Sequence, residues 1–567
     1  MVFKIADNII SPLGITSERN YQAVKSGNSA LAPYDVQGLE ERVFASLFSD
    51  RDWESLQVEG LSRFESLVCR SVEGALDNVS GKFDVAGKDV VFVLGTTKAN
   101  VELLGSCEDE MLFPGKCAEK ICSRIGITTT PIVVCNACIS GLSSIILAAR
   151  LLESGAYKYA VVCGADVLGK FIVSGFQALR TLSEEACRPF DIERCGMNLG
   201  EAAATVVLSS APVEEQCWRI EGGAVRNDAH NTTAPSPKGE GAYLAISRVM
   251  EGSDPQRLAM VNAHGTSSLF MDQMESMALE RAGLLDIPAN SLKGYFGHTL
   301  GAAGILETII TMKSLEEDLV LGTKGFEELG VSSPIRVSAD SVPAGGKKCF
   351  VKTVSGFGGA NAAILASCDA NKTDKSLKAP GFRKTHRVRI TPSEALVDGM
   401  AISLPEGISG KETLSFIYKE KVGGYPQFYK MDNLSRLGFI ASELLLQAEG
   451  KERFAGTDSR AVILFNRSSS IITDRKYLES IAEDNYYPSP ALFVYTLPNI
   501  ITGEIAIRNK YNGETSFYIL PEKDEGIMES VLNSAMLDNR TESIVSGWID
   551  CSSDKDFVAD MFIAEKD

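Results

Sequence analysis

Residues 133–155, VVCNACISGLSSIILAARLLESG, combine a strand, a turn and a helix in one short segment. The first residues are apolar and β-branched, which is typical of a buried strand, and two cysteines lie in the small-residue turn that follows. The later residues repeat apolar positions at helical spacing, and Gly155 suits a left-handed helix end. This strand–turn–helix unit predicts an α/β protein with Cys135 and Cys138 at a strand–helix junction.

The same alternation continues through the first two thirds of the chain. Strand-like runs are DVVFVLGTT (89–97), YAVVCGADV (159–167), AAATVVLSS (202–210), LAMVNAHGT (258–266) and CFVKTVSGFGG (349–359), with helical patterns between them. Continuous apolar strands of this kind predict α/β layers in which the strands are buried on both faces. We expect the first domain to close near residue 367.

The bulk properties restrict the partners. A chain of 567 residues predicts two or three domains, and its net charge of −18 argues against nucleic acid and anionic lipid as general partners. No run of 18 apolar residues occurs and the N-terminus lacks a secretory pattern, so we expect a cytoplasmic protein without membrane insertion. Thirteen cysteines form no regular framework, and reduced thiols are the plainer interpretation, although the CxxC of Cys135 and Cys138 leaves a redox pair to be considered.

After residue 367 the chain partly repeats itself. We predict a linker at 368–388, whose basic stretch is either solvated or a docking site for an acidic partner, and a second domain at 389–567. LSRLGFIASELL (434–445) is similar to LSRFESLVCRSV (61–72), RAVILFNRS (460–468) is similar to the strand at 89–97, and 513–551 is similar to 127–167. In this alignment Lys523 takes the place of Cys138, and no histidine follows His386. The second domain is therefore predicted to be a non-catalytic half-copy.

Two of the four histidines are candidates for catalysis. His264, in NAHGTSS, and His298, in YFGHTLGAAG, lie in small-residue loops, where α/β proteins place chemistry. Cys138 directly precedes the predicted helix, whose dipole favours the thiolate, so we expect a lowered thiol pKa and a nucleophile. Cys135 is interpreted as packing, and His230 as structural.

Five motifs together resemble the β-ketoacyl-acyl carrier protein synthases of the thiolase-like superfamily, over residues 1 to about 367. The motifs are VCNACISG, RPFDIERCGMNLGEAA (188–203), NAHGTSS, KGYFGHTLGAAGILE (293–307) and SGFGGANAAIL (355–365). Histidine at both positions matches the elongating Cys-His-His class better than the initiating synthases or the thiolases. The resemblance implies a layered α-β-α-β-α fold of two related halves, here followed by a truncated thiolase-like α/β half-domain.

The resemblance also implies roles for individual residues. Cys138 would carry the acyl group, while His264 and His298 would hold the malonyl thioester as carbon dioxide leaves. The N–H groups of Cys138 and Phe357 would form an oxyanion hole, and Phe357 matches a gatekeeping aromatic residue. Further matched residues are Lys293 and Glu307, expected to orient the imidazoles through hydrogen bonds, Thr266 and Ser268, expected to bind the phosphopantetheine arm, and Asp272 and Glu275, expected to be structural.

The implied activity is decarboxylative condensation with malonyl-acyl carrier protein, in specialised polyketide, aryl-polyene or fatty acid synthesis. Acyl carrier protein is the implied partner, and the half-copy would dock within one chain as a pseudo-dimer or between chains. The alternatives are a chain-length-factor-like or scaffolding subunit without turnover and, more distantly, a thiolase or dithiol redox protein. No metal site or nucleotide-binding motif is visible. Ser355 departs from the family pattern, where an aromatic residue is common, and leaves the acyl chain length open.

Overall fold

A computed structural model describes residues 1–35, 42–212, 217–368, 379–481 and 488–567. The strands of the first region, residues 1–368, are β1 (Val2–Ile10), β2 (Ala32–Tyr34), β3 (Val43–Ser46), β4 (Val90–Gly95), β5 (Ile132–Val134), β6 (Tyr159–Asp166), β7 (Leu199–Gly200), β8 (Ala202–Ser209), β9 (Arg219–Asn227), β10 (Met260–Asn262), β11 (Pro288–Asn290), β12 (Leu319–Val320), β13 (Arg336–Val337), β14 (Val342–Pro343), β15 (Cys349–Gly356) and β16 (Ala360–Ser367). The helices are α1 (Ser17–Lys25), α2 (Asp50–Leu56), α3 (Arg63–Asp77), α4 (Pro114–Ile125), α5 (Ser140–Glu153), α6 (Lys170–Ala178), α7 (Glu240–Met250), α8 (Leu269–Arg281), α9 (Lys293–Phe296) and α10 (Ala303–Glu316).

Two mixed sheets organise this region. The first has the order β5-β4-β6-β8-β1, with β5, β4 and β6 parallel and the last two antiparallel. The second has the order β9-β16-β15-β10-β11-β13, in which the last four strands are parallel. β4 is apolar and buried at every position, and β6 is buried at every position after Tyr159, as the uninterrupted hydrophobic runs predict.

Helices fill the space between the sheets and cover their outer faces. α5 and α10 pack between the two sheets, whereas α3 covers the first sheet and α7 the second. α5 and α10 approach so closely that a Cβ added at Gly304 of α10 would lie 2.5 Å from the backbone nitrogen of Leu142 of α5. The predicted layered α-β-α-β-α fold is confirmed.

The C-terminal region, residues 379–567, contains a sheet of the same design. Its strands are β17 (Phe382–Ile390), β18 (Ala395–Val397), β19 (Met400–Ala401), β20 (Arg460–Asn466), β21 (Thr515–Ile519), β22 (Ser543–Ser553) and β23 (Asp556–Lys566). Its α-helices are α11 (Lys411–Ile417), α12 (Asn433–Glu449), α13 (Ile471–Glu479), α14 (Pro490–Tyr495), α15 (Ile500–Asn509) and α16 (Glu525–Ala535). The order β21-β20-β22-β23-β17 reproduces the order and the strand directions of β5-β4-β6-β8-β1.

The two regions share one continuous sheet. β21 pairs antiparallel with β5, through Tyr518 opposite Val134 and Ile519 opposite Val133, and α16 packs against α5. Buried ion pairs cross the boundary at Arg150–Glu514 (2.6 Å), Arg226–Asp538 (2.7 Å) and Lys98–Asp474 (2.5 Å). The C-terminal region therefore covers the β5 edge, which would otherwise expose unpaired backbone groups.

The structure describes only part of the expected linker, 368–388. Residues 369–378 lie outside the described residues, and β17 already begins at Phe382, within the span assigned to the linker. The predicted boundaries at 367 and 389 stay predictions. In the described part of the chain, no helix is long and apolar enough to cross a membrane.

Candidate active site

Cys138 lies in a tight turn between β5 and α5. A short 3₁₀ turn at Ala137–Ile139 precedes the helix, and Ala137 adopts a left-handed φ of 48°, which is costly for a residue with a side chain. The Ser140 hydroxyl donates to the carbonyl of Ala137 (2.6 Å) and accepts from the backbone N–H of Asn136 (2.9 Å). The Asn136 carboxamide oxygen accepts from the N–H of Phe517 in β21 (2.7 Å), so the C-terminal region helps to hold this turn.

The expectation of a lowered thiol pKa is wrong for this structure. Burial raises the pKa of Cys138 to about 12, which the positive charge of Lys293 partly opposes and the negative charge of Asp166 reinforces. Burial also raises the pKa of Cys135, which follows β5 and is inaccessible. Cys138 differs from Cys135 in that it lines a pocket.

His264 and His298 come together beside Cys138. Their rings are 5.1 Å apart between centroids and nearly perpendicular, and both side chains are almost fully buried. Burial and the charges of Lys293 and Lys352 hold the pKa of both imidazoles well below 6.5, so both are neutral at pH 7. Within the described residues, Nδ1 of His264 and both ring nitrogens of His298 lack a hydrogen-bond partner.

The acidic pair after His264 fixes its backbone. Glu275 accepts from the N–H groups of His264 (2.7 Å) and Gly265 (2.8 Å), and from the Thr353 hydroxyl (2.7 Å). Asp272 accepts from the N–H groups of Thr266 (2.9 Å) and Phe190 (2.7 Å). These contacts agree with the structural role expected for both carboxylates.

Lys293 and Glu307 form a buried charge cluster that also contains Lys352. The Glu307 carboxylate pairs with Lys293 and with Lys352, at 2.5 Å each. Although burial opposes ionisation, the two ammonium groups lower the pKa of Glu307, and burial lowers the pKa of Lys352 to about 8. Lys352 also donates to the carbonyl of Ala263 (3.2 Å), directly before His264.

The expected hydrogen bonds from Lys293 and Glu307 to the imidazoles are not what this geometry shows. Glu307 contacts Lys293 and Lys352, and these two lysines act on the histidines through their charge. Lys352 was missed by the sequence reasoning. Its signal is a single charged residue inside the apolar run of β15.

One pocket of about 340 Å³ joins the candidate residues. Its lining includes Cys138, His264, His298, Thr266, Ser268, Ser355, Phe357, Asp228 and Asn361. The Thr266 and Ser268 hydroxyls lie 3.2 Å apart. A larger cleft of about 980 Å³ beside β1 and α3 contains none of the candidate residues, so size does not identify the site.

A second, much smaller void of about 20 Å³ is also lined by Cys138. The rings of Phe176, Phe357 and Phe493 line it, with centroids 6.0 Å apart for Phe176–Phe357 and 5.5 Å for Phe176–Phe493. Phe493 belongs to the C-terminal region and packs against Gly175. A Cβ added at Gly175 would lie 2.2 Å from the ring of Phe493. The sequence offered no signal that this ring would reach the site.

Phe357 follows β15 and brings backbone close to Cys138. A Cβ added at Gly356 would lie 3.2 Å from the backbone nitrogen of Cys138, so this segment runs alongside the N–H of the cysteine. Ser355 lines the pocket and donates to the Asn361 carboxamide oxygen (2.7 Å). The remaining histidines lie elsewhere: His230 is exposed, and His386 pairs with Asp398 in the C-terminal region.

Among its described residues, 379–481 and 488–567, the C-terminal region has no comparable group of a thiol and two histidines. The pairing of Tyr518 with Val134 and of Ile519 with Val133 relates the two strands by an approximate two-fold axis, which makes Lys523 the counterpart of Cys138. Lys523 pairs with Asp560 (3.1 Å), and no histidine follows His386.

Family models match the chain at both parts of this site. Residues 104–213, with Cys138, match the β-ketoacyl synthase N-terminal domain, and residues 218–327, with His264 and His298, match the β-ketoacyl synthase C-terminal domain. Together these two matches confirm the predicted resemblance to the β-ketoacyl synthases for residues 104–213 and 218–327.

Individual relatives of this synthase family cover different shares of the chain. A putative mitochondrial 3-oxoacyl-[acyl-carrier-protein] synthase of Schizosaccharomyces pombe is 30% identical over 270 residues, which is 43% of this chain and 63% of the relative. 3-oxoacyl-[acyl-carrier-protein] synthase 2 of Vibrio cholerae is 26% identical over 407 residues, 63% of this chain and 96% of the relative. The first match thus spans less than two thirds of its relative.

The solved structure of the PfaC keto synthase–chain length factor matches the whole chain. It has a TM-score of 0.77 at 14% identity and covers 100% of this chain and 78% of that one. At this identity the likeness concerns the fold alone. It includes the C-terminal region as well as the first region, residues 1–368, which is called the synthase half below.

Proposed function

We propose that this protein catalyses decarboxylative condensation between an acyl group held on Cys138 and malonyl-acyl carrier protein, giving 3-oxoacyl-acyl carrier protein. The observation that carries the proposal is the meeting of one thiol and two neutral imidazoles, with unpartnered ring nitrogens, in one pocket. The matches to both β-ketoacyl synthase domains support the same chemistry.

In the first half-reaction, the sulfur of Cys138 forms a bond to the carbonyl carbon of an acyl thioester. The bond from that carbon to the carrier sulfur breaks, and the carrier thiol leaves with the proton that the cysteine gives up. Because burial raises the thiol pKa, Cys138 holds this proton at neutral pH until the donor arrives. The N–H groups of Cys138 and Phe357 are proposed to stabilise the oxyanion.

In the second half-reaction, the malonyl thioester loses carbon dioxide and its α-carbon forms a bond to the acyl carbonyl carbon. The bond from that carbon to the sulfur of Cys138 breaks, the 3-oxoacyl thioester leaves, and the thiolate takes one proton from water to restore the thiol. Neutral His264 and His298 can each donate one N–H to the thioester oxygen, where negative charge develops. The net positive charge of Lys293, Lys352 and Glu307 favours that anionic state.

Thr266 and Ser268 line the pocket beside the histidines and are proposed to bind the phosphopantetheine arm of the carrier protein. Acyl carrier protein is therefore the proposed partner. The C-terminal region is proposed to be non-catalytic and to act as a partner mimic within the chain, in specialised polyketide, aryl-polyene or fatty acid synthesis. A cytoplasmic location stays a prediction.

The test is turnover with defined thioesters. The full chain is incubated with acyl-acyl carrier protein and ¹³C-labelled malonyl-acyl carrier protein, and products are read by mass spectrometry. We expect labelled 3-oxoacyl product from wild type and none from His298→Ala. A folded protein that gives no product with any acyl length would favour the scaffolding alternative.

A further inference from the structure

Three consecutive backbone carbonyls in the segment 356–359, here called the transfer loop, each accept from an asparagine carboxamide. Nδ2 of Asn361 donates to Gly359 (3.0 Å), and Nδ2 of Asn227 donates to Gly358 (2.8 Å). Both donors belong to the synthase half. The third donor, Nδ2 of Asn499, reaches Phe357 (2.9 Å) from the C-terminal region.

The transfer loop needs such restraints because its own sequence supplies few. Gly358 and Gly359 adopt φ angles of 86° and 71°. Because glycine has no Cβ, its backbone can also adopt many other conformations. The carbonyl of Phe357 is the first group before this flexible pair. Fixing that carbonyl restrains the backbone of the residue whose N–H is proposed to help form the oxyanion hole.

Asn499 is built as a rigid support. It is 2% exposed and directly precedes α15, where its carbonyl accepts from the N–H of Thr502 (3.1 Å) and from the Thr502 hydroxyl (2.7 Å). The backbone of α15 also packs directly against the transfer loop, since a Cβ added at Gly503 would lie 2.5 Å from the carbonyl oxygen of Gly358. The start of α15 therefore fits the transfer loop closely.

We propose that Asn499 is a positioning residue for acyl transfer, so that the non-catalytic region completes the active site of the synthase half. The proposal rests on the proposed function. Asn499 touches no reacting atom; it holds Phe357 so that the N–H of this residue stays directed at the acyl carbonyl. Acyl transfer to Cys138 should depend on Asn499 more strongly than malonyl decarboxylation, which the histidines carry out.

The test compares Asn499→Ala with Asn512→Ala in the full chain. Asn512 is a matched control because its carboxamide also donates across the region boundary, to the backbone carbonyl of Asn227 (3.0 Å), which lies outside the transfer loop. Single-turnover acylation of Cys138 is followed by mass spectrometry, and malonyl decarboxylation is measured separately. Gly503→Ala serves as a second variant, because its added methyl displaces the loop without removing a hydrogen bond.

We expect Asn499→Ala to slow acylation about tenfold, with decarboxylation and the thermal midpoint close to wild type. Gly503→Ala should share this pattern and Asn512→Ala should not. Equal acylation rates in wild type and Asn499→Ala would overturn the inference alone, as would an equal loss in Asn512→Ala. A wild-type protein that takes no acyl group would overturn the proposed function and, with it, this inference.

Discussion

At the scale of single residues, burial sets the chemistry of the site more strongly than the helix dipole does. Cys138 lies at the start of α5, yet removal from water raises its thiol pKa to about 12. The same removal from water, with Lys293 and Lys352 nearby, keeps both imidazoles neutral. Without substrate, the site therefore holds a protonated thiol and two neutral imidazoles. The negative charge arises only on the substrate, at the thioester oxygen, during the reaction.

The reactivity of Cys138 should follow its raised pKa. Because the thiolate fraction rises about tenfold per pH unit below the pKa, alkylation by iodoacetamide should keep rising from about pH 7 to about pH 10. An unperturbed thiol is half ionised at about pH 8.5, so its alkylation would level off by about pH 9.5. The adduct on Cys138 is measured by peptide mass spectrometry, with the exposed Cys195 as an internal reference for the reagent. A plateau below about pH 10 would contradict the account.

The buried histidines should make stability fall in mild acid. Their folded pKa lies below the unfolded value, so the unfolded chain binds more protons; stability is present above about pH 6.5 and is lost as the pH falls. The loss should reach about 1.4 kcal/mol per histidine for each pH unit in that window. Urea unfolding at about pH 7.5 and about pH 5.5 measures it.

His298→Gln should remove about half of that loss, since one buried imidazole no longer has to be charged on unfolding. The control is His230→Gln, because His230 is exposed and lies outside the pocket lining. Identical acid sensitivity in wild type and His298→Gln would show that other groups set the pH dependence.

At the scale of elements, Glu307 of α10 joins Lys293 of α9 to Lys352 of β15. Glu307→Gln would leave two buried ammonium groups without a counter-charge, and we expect a loss of about 3–5 kcal/mol. The control is Glu317→Gln at the end of the same helix, whose exposed pair with Lys25 should contribute at most about 1 kcal/mol. Urea denaturation compares the two variants. Similar losses of unfolding free energy in the two variants would mean that the buried cluster contributes no more to stability than the exposed ion pair.

The elements also show how far the sequence could lead. Alternating apolar runs placed the strands and helices, and small-residue loops identified Cys138, His264 and His298, because both signals are local. Lys352 was visible only as an odd charge within a strand. Phe493 and Asn499 reach the site across the boundary between regions, and no local pattern predicts that contact. The sign of the Cys138 pKa shift was wrong because burial depends on packing from all sides.

At the scale of the whole molecule, removal of the C-terminal region would expose buried surface of the synthase half to solvent. β5 would lose its partner β21, and α5 would lose α16. A chain that ends at residue 375 should therefore aggregate or lose activity, as judged by size-exclusion chromatography and turnover. A soluble, monomeric and fully active truncated chain would contradict the idea of a pseudo-dimer.

The C-terminal region should also limit the acyl group. The small void beside Cys138 measures about 20 Å³, and Phe493 is one of the residues that line it. Phe493→Ala should enlarge the space and shift the preferred acyl donor towards longer chains. Acylation rates across a series of chain lengths measure this shift, with Tyr429→Ala, an exposed aromatic residue of the same region, as control. An unchanged preference would place the acyl group elsewhere in the pocket.

The central claim is that Cys138 carries an acyl group from a carrier-protein thioester. Peptide mass spectrometry after incubation with acyl-carrier-protein thioesters of several lengths tests it most directly. We predict an acyl adduct on Cys138 in wild type and in Cys135→Ala, and no adduct in Cys138→Ala. An adduct that persists in Cys138→Ala, or folded wild-type protein without any adduct, would contradict the account.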